Sequence, residues 1–209
     1  MSPSPDATAT EQSVRLSMVI DQLVQQQWCV LPDFFSPELC RQLNDELQTH
    51  AAQSQLQPAR VGKDEQLTRR TDIRGDDILW LDGSSAAQAQ FLDVMEQLKQ
   101  QINRELYMGL DELEAHYALY PPGMGYQKHL DSFQNNNLRR ITIVAYLNEA
   151  WVEADGGQLN IYDGDTVMAS ILPKVGTLVC FVSERWPHEV AVTHRWRSSI
   201  AGWFRCRPT

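Results

Sequence analysis

From Val14 to about Gln27 the apolar residues Leu16, Val19, Ile20, Leu23 and Val24 recur with helical period, which predicts an amphipathic helix. A short extended piece, Trp28–Leu31, follows it. Ser36 then reads as an N-cap with Pro37 at the first helical position, and Leu39, Leu43 and Leu47 mark the buried face of a second helix. A third helix is expected from about Ser85 to Met108, with Phe91, Met95, Leu98, Ile102 and Leu106 on one face and Gly109 to stop it. Ile78–Leu81 reads as a strand ended by Asp82-Gly83. After Leu113 the pattern changes to short strands, expected at 115–120, 126–132, 139–147, 157–162, 167–172, 176–182, 188–193 and 197–206, separated by Pro-, Gly- and Asn-rich turns. Such a series reads as a double-sheet jelly roll. The expected organisation is a single domain over 13–209, mainly β with α, with helical support at 13–112 and a jelly-roll core at 113–206. Residues 1–12 are Pro/Ser/Thr/Ala-rich with nothing to bury and read as a disordered tail. Residues 58–74 carry many charges and little to bury, and read as a mobile substrate loop.

The 209 residues fit one well-packed domain. A net charge of −9 argues against a nucleic-acid-binding surface, which leaves a basic footprint. The charge is uneven, with basic clusters at Arg60, Lys63, Arg69, Arg70 and Arg74 and again at Arg185, Arg195, Arg197, Arg205 and Arg207. Cys29, Cys40, Cys180 and Cys206 form no C-x-x-C motif and are expected to be reduced. The first residues lack the charged start and apolar run of a signal peptide, and no segment approaches membrane-spanning length, so a cytoplasmic protein without a membrane partner is expected.

The chemistry concentrates in His129-Leu130-Asp131, followed later by His188 and Arg197. In a strand, residues i and i+2 point to the same side, so His129 and Asp131 can reach one metal while Leu130 packs on the opposite face. Alone, H-x-D is a weak signal. With His188 opening a neighbouring strand, the set becomes two imidazoles and a carboxylate on one face of an iron, the other positions staying open. Arg197, at the start of the next strand, can grip a carboxylate through two parallel hydrogen bonds. The expected ligand is a dicarboxylate with one end on iron and the other on Arg197.

The segments Gly125–Asp131, Tyr146-Leu-Asn148, Gly156-Gly157 and Trp186–Val190, with Arg197 and Trp203, resemble the 2-oxoglutarate/Fe(II)-dependent oxygenases, and within them the prolyl hydroxylases of the Egl nine (hypoxia-inducible-factor) type. The resemblance runs from about residue 70 to 205 and includes Asp72–Asp76 and Ile78–Gly83. It implies a double-stranded β-helix fold, and His129, Asp131 and His188 as catalytic iron ligands. It further implies Arg197 and Tyr146 on the distal carboxylate of 2-oxoglutarate, Tyr120 near the iron-bound end, and Arg74 and Trp203 near a substrate peptide. Fe(II), 2-oxoglutarate and O2 follow, with ascorbate as a supporting reductant. The implied reaction hydroxylates a prolyl residue of a protein substrate, giving hydroxyproline, succinate and CO2. Resemblance to bacterial members suggests a proline loop of the translation factor EF-Tu. The chain departs from the family at Ser132–Leu138, at a shortened Pro121–Gly125 loop and at Ala201, where animal enzymes often carry a hydroxyl residue. Competing readings are the same chemistry on free proline or another small molecule, and a non-catalytic iron/2-oxoglutarate-binding sensor.

Overall fold

A computed structural model describes residues 5–59, 73–131 and 138–208. In chain order the elements are α1 (Pro5–Gln26), β1 (Trp28–Leu31), α2 (Pro37–Ala52), β2 (Gln57–Pro58), β3 (Asp77–Trp80), α3 (Ala86–Leu106), β4 (Leu110–Tyr120), β5 (Tyr126–His129), β6 (Arg139–Tyr146), β7 (Leu159–Asp163), β8 (Thr166–Ile171), β9 (Leu178–Val182), β10 (His188–Val190) and β11 (Arg197–Cys206). Two antiparallel sheets form. A seven-stranded sheet has the order β1-β9-β6-β11-β4-β3-β2, and a four-stranded sheet the order β5-β10-β7-β8. Successive strands from β4 to β11 are shared between the two sheets, which is the expected jelly roll.

Strand periodicity explains why the large sheet is buried on both faces. Along β6, Ile141, Ile143 and Ala145 join the core under the helices, whereas Val144 and Tyr146 join the core between the sheets. Likewise Leu178 and Cys180 of β9 face the helices, and Val179 and Phe181 face the small sheet. The helices cover the outer face with Leu16, Val19, Ile20 and Leu23 from α1, Leu39, Leu43 and Leu47 from α2, and Phe91, Met95, Leu98 and Ile102 from α3. Ser36 caps α2 as expected, and Ser85 caps α3 in the same way. Ser36 Oγ accepts from Leu39 N at 3.2 Å, and Ser85 Oγ accepts from Gln88 N at 3.0 Å. Tyr107, rather than Gly109, is the left-handed residue that ends α3 (φ 54°).

One expectation changes at the N-terminus. The expected tail is helical from Pro5. An apolar stripe was needed to see the helix in the sequence, yet Pro suits a first turn without one. Arg15 holds the helix further, through a 2.7 Å ion pair to Glu11 and a 3.0 Å bond to the Phe34 carbonyl. The extended pieces expected at Trp28–Leu31 and Ile78–Leu81 are β1 and β3, which with β2 extend the large sheet. The expected loop at 58–74 lies, from 60 to 72, outside the described residues. Its flanks are held, since Pro58 pairs with Asp77 in the sheet and Ala59 N donates to Asp76 O at 2.9 Å.

Candidate metal and dicarboxylate site

A cavity of about 50 Å³ lies between the two sheets. Of the residues singled out by sequence, Arg74, Tyr120, His129, Asp131, His188, Arg197 and Trp203 line it. Tyr146 stands behind Arg197, with its ring centre 5.1 Å from the guanidinium carbon. Ala118, Val144, Leu159 and Val190 give the cavity apolar walls.

His129 is the last residue of β5, and His188, the first of β10, is its register partner across the antiparallel pair. Asp131 lies just beyond β5, so it reaches the cluster from a bend rather than from a continuing strand. Leu130 is correspondingly exposed, at 39%, instead of packing against the far face. His129 Nε2 and His188 Nε2 lie 3.5 and 3.4 Å from the two Asp131 carboxylate oxygens. One ligand atom from each of the three residues lies within 4.8 Å of the others, a set that could hold a metal ion.

The second atom of each imidazole fixes which atom is free. His129 Nδ1 is 2.7 Å from the Gln127 carbonyl, and His188 Nδ1 is 3.1 Å from the Trp186 carbonyl. A carbonyl can only accept, so both Nδ1 atoms carry the proton and both Nε2 lone pairs face the cluster. Tyr126 stacks on His129 at 3.6 Å and Phe181 flanks His188 at 4.6 Å, which limits ring rotation. Thr142 Oγ1 donates to Asp131 Oδ2 at 2.8 Å and also contacts Ser183 Oγ at 2.9 Å. Burial alone would raise the Asp131 carboxyl, but the His188 and His129 rings outweigh it and hold the group well below the usual carboxylate range. Burial lowers His188 to about 4 against the pull of Asp131, so its ring is neutral at physiological pH.

At the inner end, Arg197 is 1% exposed. Its Nε donates to Gly157 O at 2.9 Å and its Nη1 to Ser199 Oγ at 3.2 Å. No carboxylate among the described residues pairs with it, although a buried guanidinium is costly without an anion. The buried Tyr146 hydroxyl beside it also has no hydrogen-bond partner. Burial pushes this phenol up to about 12, with Arg197 pulling the other way, so it remains a donor at neutral pH. The Tyr120 ring lies 5.2 Å from the Arg197 guanidinium carbon. Together these groups form a cationic, donor-rich end matched to one carboxylate.

Toward the other end, Arg74 makes a two-pronged pair with Asp76, at 2.7 and 2.8 Å, and lies 5.0 Å from the Tyr126 ring centre. Asp76 is 2% exposed, so this is a buried pair. Sequence reasoning missed Tyr126, Thr142, Asp76 and Ser199. Thr142 and Ser199 left one trace, a hydroxyl at an inward position of an apolar strand.

Residues 115–205 match the family described as the 2OG-Fe(II) oxygenase superfamily. The chain is 31% identical over 185 residues to human Egl nine homolog 1, a match covering 84% of this chain and 43% of that protein, so it spans less than half the length of the human relative. Mouse Egl nine homolog 1 is 30% identical over the same length, 46% of that protein. The crystal structure of a Pseudomonas putida prolyl-4-hydroxylase is similar with a TM-score of 0.84 and 41% identity, covering 92% of this chain and 100% of that one. A Trichoplax adhaerens prolyl hydroxylase, solved with a hypoxia-inducible-factor peptide fragment, shares the fold with a TM-score of 0.85 at 24% identity, over 98% of this chain and 94% of that one.

Proposed function

Because this chain belongs to the 2OG-Fe(II) oxygenase superfamily, we propose that it hydroxylates a prolyl residue in a protein substrate, consuming 2-oxoglutarate and O2. The observation that carries this reading is the buried Arg197 guanidinium without a carboxylate partner, in the same cavity as the His129, Asp131 and His188 cluster. A ligand that satisfies both ends must present a carboxylate to Arg197 and donor atoms to a metal, and 2-oxoglutarate does both.

In this reading His129 Nε2, His188 Nε2 and an Asp131 oxygen hold Fe(II), while Thr142 and the two backbone carbonyls keep those atoms aimed. Arg197 grips the far carboxylate of 2-oxoglutarate, Tyr146 donates its hydroxyl to it, and Tyr120 walls the same end. Fe(II), when bound with 2-oxoglutarate and O2, supplies the oxidation that yields succinate and CO2 and places one oxygen atom on a C–H bond. Ala118, Val144, Leu159 and Val190 keep water from the reacting groups. Arg74 and Trp203 stand where a substrate peptide meets the cavity.

A protein-bound proline is favoured over other substrates by the 41% identical prolyl-4-hydroxylase, which this chain covers in full. A proline loop of EF-Tu is the proposed target, with ascorbate as the supporting reductant. The test incubates the protein with Fe(II), 2-oxoglutarate, ascorbate and purified EF-Tu in air. Succinate formation, and the mass of one oxygen atom added to a proline peptide, are expected. Succinate without any modified proline, or free proline turning over as well as the protein, would sink the peptidyl reading.

A further inference from the structure

Three rings on one face of the β11–β4–β3 sheet connect the cavity to solvent. Trp203 lines the cavity and is 6% exposed. His116, 1% exposed, packs against it at 5.6 Å between ring centres, and Trp80 packs on the other side of His116 at 5.0 Å. Trp80 is 50% exposed, so the series ends in water. Register accounts for the alignment. Ala201 of β11 lies opposite His116 of β4, which lies opposite Trp80 of β3.

The packing of the site does not require this series. Trp80 buries little, and a half-exposed indole at a sheet surface gains less from apolar transfer than a buried one. His116 is a buried polar ring between two indoles where an apolar side chain would pack. Its Nδ1 donates to its neighbour's carbonyl, Tyr117 O, at 2.9 Å, and burial, helped by Arg74, lowers it to about 4, so it stays neutral. The two indoles also differ in charge environment. The Arg139 guanidinium lies 3.6 Å over Trp203, which disfavours positive charge on that ring, whereas among the described residues no cation lies over Trp80.

We propose that Trp203, His116 and Trp80 form an electron path by which a one-electron donor in solvent, of the enediol class, reduces the metal site when it has become oxidised without substrate. This rests on the iron and 2-oxoglutarate reading above. Turnover of 2-oxoglutarate and O2 without substrate would leave the site two electrons above Fe(II), oxidising enough to take one electron from Trp203, and one from Trp80 would refill Trp203, with neutral His116 packed between them. The positive charge then rests on Trp80, away from Arg139. The enediol gives one electron to Trp80 and becomes its own radical. The chain ends unchanged, and no bond in the protein forms or breaks. Tyr126, stacked on His129, is a competing oxidisable ring.

The test uses the full chain loaded with Fe(II) and 2-oxoglutarate in air, without protein substrate, with and without ascorbate. Succinate is measured alongside a peptide map of oxygen addition. In the wild-type protein, oxygen addition is expected at Trp80 and ascorbate should suppress it. In Trp80→Phe, addition should move to Trp203 and Tyr126 and rise several-fold, and ascorbate should no longer protect. Trp80→Tyr, which restores an oxidisable ring, should recover part of the protection. Substrate-coupled succinate formation should be unchanged in both variants. The same map and the same ascorbate response in Trp80→Phe, with succinate still formed, would overturn the path alone. No succinate from the wild-type protein would overturn the oxygenase reading, and the path with it.

Discussion

His188 stands directly opposite His129 across the β5–β10 pair, with the ring centres 4.3 Å apart. A pairing between two four- and three-residue strands therefore creates the cluster. Asp131 completes it from outside the pair, held from the large sheet by Thr142. The site depends on how the two sheets are positioned as much as on its own three residues.

Thr142→Val keeps the shape of the side chain and removes the hydroxyl that donates to Asp131. Losing such a supporting partner costs about 10–100-fold in metal affinity. Titration with Fe(II) under nitrogen, or with Co(II) in air, should show this loss while the thermal midpoint stays near that of the wild type. Unchanged affinity would mean that Asp131 is oriented by something else.

Arg197→Lys keeps the charge but cannot reproduce the planar two-bond grip on a carboxylate. Losing one charge-assisted hydrogen bond is worth about 1.5–3 kcal/mol, roughly ten- to a hundredfold in 2-oxoglutarate affinity. Tyr146→Phe should weaken binding in the same direction by less. A 2-oxoglutarate KM that does not move in Arg197→Lys would remove this residue from the role.

Gly157 has φ +68°, and a Cβ there would meet Arg197 Cδ at 3.0 Å and Thr193 Cβ at 3.2 Å. Gly157→Ala should therefore lower stability by about 1–3 kcal/mol through backbone strain. It should also raise the KM for 2-oxoglutarate, because the crowded atom belongs to Arg197. A stability loss with an unchanged KM would separate the two effects and show that the guanidinium keeps its place.

His116 links pH to stability. Its folded-state pKa, about 4, lies below the ordinary value of 6.5, so between these values the unfolded chain binds more protons than the folded one. Its contribution is fully present above about pH 6.5 and is lost as pH falls toward 4, by about 3 kcal/mol in total at 1.36 kcal/mol per pH unit. His188 adds a similar slope in metal-free protein. Denaturant titrations between pH 4 and 7 should show a shallower fall in His116→Gln than in the wild type. Parallel curves would show that His116 takes up a proton in the folded protein at its ordinary pKa.

Much of the architecture was legible because the chain follows simple periods. The inward alternation of β6, β9 and β11 and the caps at Ser36 and Ser85 have local signatures. The histidine, aspartate and arginine positions were legible because those residue types can hold a metal or a carboxylate, and the fold brings them to one cavity. What escaped depends on contacts between distant segments. The Thr142 hydroxyl has a function only because β6 lies under Asp131, and Asp76 only because Arg74 is buried against it. The helical start at Pro5 escaped for the opposite reason, since its first turns carry no apolar stripe. The expectation for Leu130 failed because β5 ends at His129, so Leu130 lies beyond the strand and is 39% exposed.

The short β5 strand has a consequence for assembly. Its four residues end at His129, and its partner β10 is made only after β6, β7, β8 and β9 have been laid down. The chain must close a long loop before the two imidazoles meet, an entropic cost that grows slowly with loop length. An ion bound at their meeting point cross-links segments remote in sequence, and binds only the completed fold. Free metal at a hundred times its dissociation constant would add about 2.7 kcal/mol to the folded state. Chelation should therefore loosen the β5–β10 edge first, so that amide exchange at Gln127 and Glu189 reports metal occupancy while the helices beneath the large sheet stay protected.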